Sequence, residues 1–379
     1  MHGQEVDAAG EVDDAQRGNV WERLLAWYAA EGRAHLPWRH TRDPYAVLVS
    51  EVMLQQTQVE RVLPKYREWM ARFPKLAALA AASAGEAIQA WAGLGYNSRA
   101  VRLHAIARQA VAEYGGALPG TLEGLLVLKG IGRYTAGAVA CFAFGLPVAT
   151  VDTNIRRVLW RVFRGIEPAE WPAGERAARE VLGLAQWALP PERAYDWQQA
   201  LMDLGATVCV SRRPLCERCP LRECCAAYAE TARATLFPSG EALARLRDER
   251  AMASAEAEDG EVDETPTPRL VAELPAAYTT NAERGQPGKA PGKRRGKRET
   301  QPFTSTSRYY RGRVVEALRG LAPGESLALD ALGPRVKPGY AGAADADWLR
   351  GLVAGLARDG LARIIADGEM DGEERVALP

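Results

Sequence analysis

The stretch "CVSRRPLCERCPLRECC", residues 209–225, holds five of the chain's six cysteines and constrains the fold more than any other segment. Three structures compete for it: a disulfide framework, a zinc site and an iron–sulfur cluster. The spacing of Cys209, Cys216, Cys219 and Cys225 is C-x6-C-x2-C-x5-C, with Cys224 left over beside the last. Zinc more often takes paired C-x2-C units, or histidines, with a longer spacer. No histidine lies beyond His104, which excludes a Cys/His zinc finger here. Four thiolates in one tight loop can close around a cubane, each binding one iron. Cys224 and Cys225 are adjacent, so spacing alone does not choose the fourth ligand, and the other is a spare thiol.

The compartment bears on that choice. The N-terminal "MHGQEVDAAGEVDDAQRGN" is acidic and polar, with no apolar stretch, so a solvated tail rather than a signal peptide is expected over 1–18. No run is long and apolar enough to suggest a membrane span. An intracellular chain with clustered cysteines favours metal over disulfides. The 379 residues are more than one ordinary domain needs. Net charge is zero and argues neither for nor against nucleic acid, but its distribution is uneven. "EAEDGEVDE" (256–264) is acidic, whereas "GKAPGKRRGKRE" (288–299) is a basic run that suits either a nucleic-acid arm or a solvated linker.

Residues 19–228 read as helical throughout. Val20, Leu24, Trp27 and Tyr28 share one helix face, and amphipathic stretches recur at 44–57, 58–72, 98–114, 133–145, 153–164, 173–188 and 194–205. Nothing there alternates long enough to promise a sheet. Periodicity is lost over 229–302, which reads as a mostly disordered linker. Order is expected again over 303–379, as helices near 308–320 and 345–358 and two short strands in "GLARIIADGEMDGEERVALP". Helices followed by a β-ribbon suggest a small winged-helix-like module, for DNA binding or for protein contact.

Two further features carry chemistry. In "LKGIGRYTAGA" (128–138), Gly130 and Gly132 allow a tight turn, and the helix that follows offers N–H groups and a positive dipole end to a phosphate. An ordinary helical corner would look the same. Glu51 sits in the apolar "AVLVSEVMLQQTQ", where burial would keep its proton near neutral pH. Asp152, in "ATVDTNIRRVL", stands where a helix begins, whose positive end would favour the anion. Such a pair suits cleavage of an N-glycosidic bond, which needs an acid for the leaving base and negative charge for the sugar cation. Each also has a plainer reading: an N-cap for Asp152 and a paired buried acid for Glu51.

The words around these residues resemble a known family. The cysteine loop after "QALMDLGATVC", with the hairpin upstream of it, is similar to that of the endonuclease III superfamily, and "LPWRHTRDPYAVLVSEVMLQQTQVERVLPKY" closely resembles the catalytic segment of MutY-type adenine DNA glycosylases. The resemblance covers about residues 20–228. It implies an all-α helix-hairpin-helix glycosylase fold with a structural [4Fe–4S] cluster on Cys209, Cys216, Cys219 and Cys225. It assigns to Glu51 protonation of adenine at N7, to Asp152 stabilisation of the sugar cation, and to Asn154 the ordering of that network. Gln56 resembles the residue that wedges into the DNA stack. The "GLGYNSRA" loop with Leu94 and Tyr96 matches the one that probes the opposite base. Trp38 and Arg39 of "LPWR" fall in the wall of the adenine pocket. Gly130, Gly132 and Arg133 of the hairpin, with Arg212, Arg213 and Arg218 of the cysteine loop, are implied phosphate contacts.

Tyr134 follows "GIGR" where bifunctional relatives carry a Schiff-base lysine, which implies a monofunctional enzyme. The partner implied is double-stranded DNA with adenine opposite 8-oxoguanine or guanine, met by a cytoplasmic, nucleoid-associated monomer without membrane contact. The C-terminal part lacks the "FSHxxL"-type motif of the Nudix-like domain that reads 8-oxoguanine in well-known relatives. A thymine/uracil mismatch glycosylase on the same scaffold, or a non-catalytic iron–sulfur DNA-binding protein, are the competing readings.

Overall fold

The computed structural model describes residues 14–165, 167, 174–229, 303–322, 324–365 and 374–379. The acidic run, the basic run and the expected linker from residue 230 onward lie outside the described residues. Helices α1 (Asp14–Glu31), α2 (Pro44–Leu54), α3 (Val59–Arg72), α4 (Leu76–Ala81), α5 (Ala84–Ala90), α6 (Ser98–Glu113), α7 (Leu122–Val127), α8 (Arg133–Phe142), α9 (Thr153–Arg164), α10 (Gly174–Trp187) and α11 (Ala194–Thr207) lead up to the cysteine loop. Beyond it come α12 (Ser307–Arg319), α13 (Leu329–Val336) and α14 (Ala343–Arg358), with strands β1 (Leu327–Ala328), β2 (Arg363–Ile365) and β3 (Arg375–Ala377). The chain forms two compact units, one of residues up to His35 with those from Ala140, the other of Leu36–Val139 with the C-terminal part.

In the first unit, α1 begins at Asp14, earlier than the expected boundary at 19. Its first turns are tied down: Gln16 Nε2 donates to the Cys224 carbonyl (3.1 Å) and Arg17 Nη1 to that of Trp187 (3.1 Å). Those contacts compensate for a polar sequence that, read alone, resembles a solvated tail. Further along, Arg33 donates from both Nε (2.6 Å) and its backbone N–H (2.8 Å) to Asp203, which is wholly buried on α11. Truncating Arg33 would take the guanidinium from a carboxylate that is itself buried.

The second unit is organised around α2. Asp43 caps its start by accepting the Tyr45 N–H (3.0 Å), and Pro44 occupies the first turn, where its missing N–H costs nothing. Every residue from Tyr45 to Met53 is buried, so this helix is enclosed on every side rather than amphipathic, with Ser50 and Glu51 as its buried polar side chains. Trp69 of α3 packs edge-on against Trp91 (5.3 Å) and Phe73 (5.0 Å). The Trp69 indole donates to the Tyr45 hydroxyl (3.0 Å), which donates to the Phe73 carbonyl (3.0 Å), so the polar atoms of this aromatic core are satisfied.

The C-terminal part runs helix, strand, helix, helix, strand, strand, with an antiparallel sheet in the order β1-β3-β2, as a winged helix does. Register is set by Leu327 opposite Val376 and Ile364 opposite Val376. The sequence pattern predicts two helices and two strands. It missed β1, which is only two residues long, and α13, which carries Pro334 in its interior. The module's own buried core is extended by one residue from outside it. Val315, Leu318, Leu349, Val353 and Val376 cluster with Ile88 of α5. Arg319 donates to the Ile88 carbonyl (2.9 Å) and to Asn97 Oδ1 (2.9 Å), and the Gly85 N–H donates to the Pro379 carbonyl (2.6 Å).

Candidate functional site

In the second unit, one buried guanidinium collects the candidate residues. Arg99, near the start of α6, is 4% exposed, and burial pulls it down to about 10, still cationic at neutral pH. Its Nη1 donates to the carbonyls of Val52 (2.9 Å), Met53 (2.9 Å) and Gln55 (2.7 Å), and its Nη2 to those of Leu94 (3.3 Å) and Gly95 (3.2 Å) and to Thr57 Oγ1 (3.1 Å). The carbonyls left over at the C-terminus of α2 are thereby satisfied by a cation, at the helix end whose dipole favours one. Glu51, one turn back on α2, is buried at 6% exposure. The same clamp holds two loops whose tips carry Gln56 at φ 54° and Tyr96 at φ 47°. Both side chains are exposed, whereas Leu94 is 2% exposed and shapes its loop from below instead of offering a surface. Trp38 is likewise buried, edge-on to Tyr66 at 5.3 Å, and Arg39 beside it is half-buried.

The hairpin forms as its glycines require. Gly130 has φ +100°, and a Cβ there would meet the Arg102 side chain at 2.4 Å. Ile131 is buried and its N–H closes the turn on the Leu128 carbonyl (3.1 Å). Gly132 then leads into Arg133, the first residue of α8, which opens a helix N-terminus of the kind that takes a phosphate. Tyr134 follows it, half-buried.

In the first unit, Asp152 caps α9. Its Oδ1 accepts the Ile155 N–H (2.7 Å) and its Oδ2 accepts from Asn154 Nδ2 (3.2 Å). Those bonds and Arg157 favour the anion, as the helix start predicts. Burial outweighs them, and the net direction for the Asp152 carboxyl is upward. The expectation of a simply stabilised anion is corrected to that extent. Asn154 is fixed from its other end by Arg157 Nη2 (2.9 Å), and Arg157 also donates to the carbonyls of Gly205 (2.6 Å) and Cys209 (2.7 Å). Gly205 allows α11 this approach, since a Cβ there would stand 2.7 Å from the Cβ of Asn154.

Arg157 thus links the Asp152 motif to the first cysteine of the loop. One turn on, Arg161 donates to Cys209 Sγ (3.5 Å) and to the carbonyls of Val210 (2.9 Å) and Ser211 (3.1 Å), while Glu167 pairs with its guanidinium (2.9 Å). Cys209, Cys216, Cys219 and Cys225 all line one cavity of about 290 Å³. Cys224 does not, and its thiol turns to the Leu221 carbonyl (3.4 Å). Among the described residues no three His, Cys, Asp or Glu side chains close tightly enough around a point to chelate a single ion. An all-sulfur donor set ringing a broader space fits an iron–sulfur cluster. Burial pushes Cys219 up to about 12 and Cys225 to about 11, so as bare thiols they would be neutral, and a bound cationic centre would hold them as thiolates. Arg212, Arg213 and Arg218 are exposed on the same loop, Arg213 with φ 122°.

Comparison with known proteins agrees with this geometry. The HhH-GPD profile, described as a superfamily base excision DNA repair protein, matches residues 49–180. The adenine DNA glycosylase of Mycolicibacterium smegmatis is 44% identical over 226 residues, 59% of this chain and 73% of that protein. The human adenine DNA glycosylase is 48% identical over 226 residues, and the match spans 57% of this chain but only 41% of that protein. Among solved structures, a thermostable thymine-DNA glycosylase aligns with a TM-score of 0.52 at 30% identity, over 58% of this chain and all of that one. An endonuclease III–DNA complex shares the fold at 22% identity, with a TM-score of 0.50.

The chain belongs to the helix-hairpin-helix superfamily of base excision DNA repair proteins, as a MutY-type member. Endonuclease III-like and MutY-like members of this superfamily typically carry an iron–sulfur cluster. Among the described residues no helix is long and apolar enough to cross a membrane. The residues that sequence reasoning missed are Arg99, Arg157 and Arg161. Their only advance signal is an arginine at an apolar helical position, as in "NSRAVRL" and "NIRRVLWRV".

Two outcomes follow. Arg99→Met should destabilise the protein by on the order of 3 kcal/mol, because several buried carbonyls lose their donor at once; urea unfolding checks this. For Asp152 the sign is set by burial. A folded-state pKa above the unfolded value of about 3.9 means the native state binds the proton more tightly, so ionisation costs stability as pH rises through the folded pKa. The stability of Asp152→Asn relative to wild type should therefore grow as pH rises from about 4 towards neutrality. A difference that stays flat or shrinks over that range would contradict the direction assigned here.

Proposed function

We propose that this protein is a monofunctional adenine DNA glycosylase that excises adenine opposite 8-oxoguanine or guanine. The observation that carries the reading is Glu51, an ionisable side chain buried within α2 and within the segment that resembles the family's catalytic stretch. Burial disfavours the charged form of a carboxyl, which suits such a group to the role of proton donor. The adenine nucleotide would leave the stack, Glu51 would protonate N7, and the glycosidic bond would break with its electron pair moving to the base. Asp152, ordered by Asn154, would face the cationic sugar, after which water would add at C1′, giving a proton back to the Glu51 carboxylate and leaving an abasic site. Tyr134 offers no amine for a Schiff base, so strand cleavage should await alkali.

A [4Fe–4S] cluster on Cys209, Cys216, Cys219 and Cys225 would cross-link the loop that presents Arg212, Arg213 and Arg218 to the phosphates, and supply no acid–base step. A second reading, a thymine or uracil mismatch glycosylase, is favoured by the structural likeness to a thymine-DNA glycosylase.

Single-turnover assays on duplexes with A, T or U opposite G or 8-oxoguanine separate the two. Alkali-dependent nicks at A are expected, and nicks confined to T or U would replace the substrate. Glu51→Gln should lower the excision rate by about a thousandfold or more while still binding mismatched duplex; wild-type rates would remove Glu51 from the mechanism. Cys216→Ser should lose the visible absorbance of the cluster and weaken DNA binding. An unchanged spectrum would refute the ligand set.

A further inference from the structure

Within the second unit the C-terminal module is fitted against α5 and α6 by small residues and one arginine. Gly85 of α5 donates to the Pro379 carbonyl, and a Cβ on that glycine would stand 2.7 Å from the same oxygen. Gly360, just after α14, has φ +69°, and a Cβ there would come within 3.2 Å of Val101 on α6. Ile88 of α5 is wholly buried among the module's apolar side chains. Fit of that closeness belongs to a packed interior and not to a separately swinging arm. The helix that a winged helix would lay in the major groove is α14. Over its first turns the exposed residues are Ala343, Ala344 and Asp347, and Arg350 beyond them is paired with Asp347 (3.1 Å) and Glu374 (3.2 Å). That face offers phosphates little to bind.

Arg319 makes the polar part of the fit. It closes α12 with its side chain 9% exposed. Its Nε (3.1 Å) and Nη2 (2.9 Å) donate to the Ile88 carbonyl, one of the last four of α5, where carbonyls lack helical partners. A cation also suits that end of the helix dipole. Nη2 donates in addition to Asn97 Oδ1 (2.9 Å). Asn97 is the N-cap of α6, yet its side chain makes no capping bond, its oxygen being turned to Arg319. Arg319 therefore ties the end of α5 to the start of α6 across the loop that joins them. Earlier in that loop, Arg99 takes the carbonyls of Leu94 (3.3 Å) and Gly95 (3.2 Å). Tyr96, at φ 47°, lies between the two anchors. A non-glycine residue keeps a left-handed backbone where its surroundings over-determine it, and here a buried guanidinium holds each side.

We propose that the C-terminal module is a fixed brace for α5 and α6, and that Arg319 is a positioning residue that holds the loop between them through Asn97. With Arg99 alone the loop would be held before Tyr96 and free after it, so Tyr96 would relax towards negative φ. Apparent affinity for DNA then falls with the fraction of molecules in which the turn is formed, whereas chemistry in the bound complex is unchanged. This rests on the glycosylase reading above, in which that loop meets the duplex, and adds to it a role for the C-terminal module.

The test compares full-length, cluster-loaded wild type with Arg319→Met, Asn97→Ala and the double variant. Amide hydrogen exchange is followed at Leu94, Arg99 and Ala100, whose N–H groups bond to the carbonyls of Trp91, Tyr96 and Asn97, with α2 as the reference. Arg319→Met should speed exchange at these amides by about a hundredfold and leave α2 within about twofold of wild type. Binding to a duplex carrying a non-hydrolysable adenosine analogue opposite guanine, read by fluorescence anisotropy, should weaken about fivefold. The single-turnover excision rate at saturating enzyme should stay within about twofold of wild type. Asn97→Ala, which costs α6 no capping bond, should weaken binding to a similar extent, and the double variant no further. Glu316→Gln removes only an exposed partner of Arg319 and should bind as wild type does. Exchange that rises equally along α2 would make Arg319 a residue of global stability and overturn the proposal. Unchanged exchange in the loop, or losses that add in the double variant, would overturn it as well. Wild-type protein that excises no adenine would instead overturn the parent reading, while the exchange data still decide the brace, so the two failures are distinguishable.

Discussion

The Leu36–Val139 unit depends on one cation in an apolar setting. Arg99 is held by carbonyl oxygens rather than by a carboxylate, and those oxygens belong to the end of α2 and to two loops. An arginine suits the task because its planar fork reaches several acceptors at once and stays charged when buried. Removing it would free α2's last turn and both loop tips together. The positions of Glu51, Gln56 and Tyr96 are in this sense one structural decision, and the positive φ of the two loop residues is maintained by the bonds Arg99 makes behind them. Strain at the tips is tolerable only while that clamp is closed.

The other unit solves a similar problem with Arg157 and Arg161. These side chains leave α9 one turn apart and hold the entry of the cysteine loop by its carbonyls and by Cys209 Sγ. Arg157 also fixes Asn154, which bonds to Asp152. The carboxylate that faces the sugar in the proposed reaction and the loop that would carry the metal cluster are thus held by a single guanidinium. Disorder in the loop would reach Asp152 through two side-chain bonds and no change of fold.

Much of this was legible from sequence, and the reasons differ by element. The long helices announce themselves by period, and the hairpin by Gly130, whose φ few other residues could adopt. The cysteine spacing left Cys224 and Cys225 unresolved, a choice that only the direction of each thiol could inform. Three arginines with decisive roles are marked only by their apolar helical setting, since several of the carbonyls they serve lie about 45 positions away along the chain. The start of α1 was hidden for the same reason, because Gln16 and Arg17 are ordered by distant carbonyls. Strand β1 and the proline-bearing α13 fall below the length at which periodicity can speak.

The balance at Asp152 shows what such an arrangement can accomplish. A carboxylate that the helix start and Asn154 favour, and that burial disfavours more strongly, is held in a state poorer than water would give it. When a positive charge develops beside it, the same low-dielectric surroundings that penalised the lone anion strengthen its attraction to the cation. On the proposed reaction the penalty would be borne before the bond breaks and relieved as the sugar becomes cationic, so the interaction would be stronger in the transition state than in the ground state. That difference, and not the affinity of either state alone, is what accelerates a reaction. A fully solvated aspartate at the same helix start would be more stable as an anion and less effective, because water would already have satisfied it. Burial that looks like a cost to folding is, on the proposed reaction, the source of catalytic leverage.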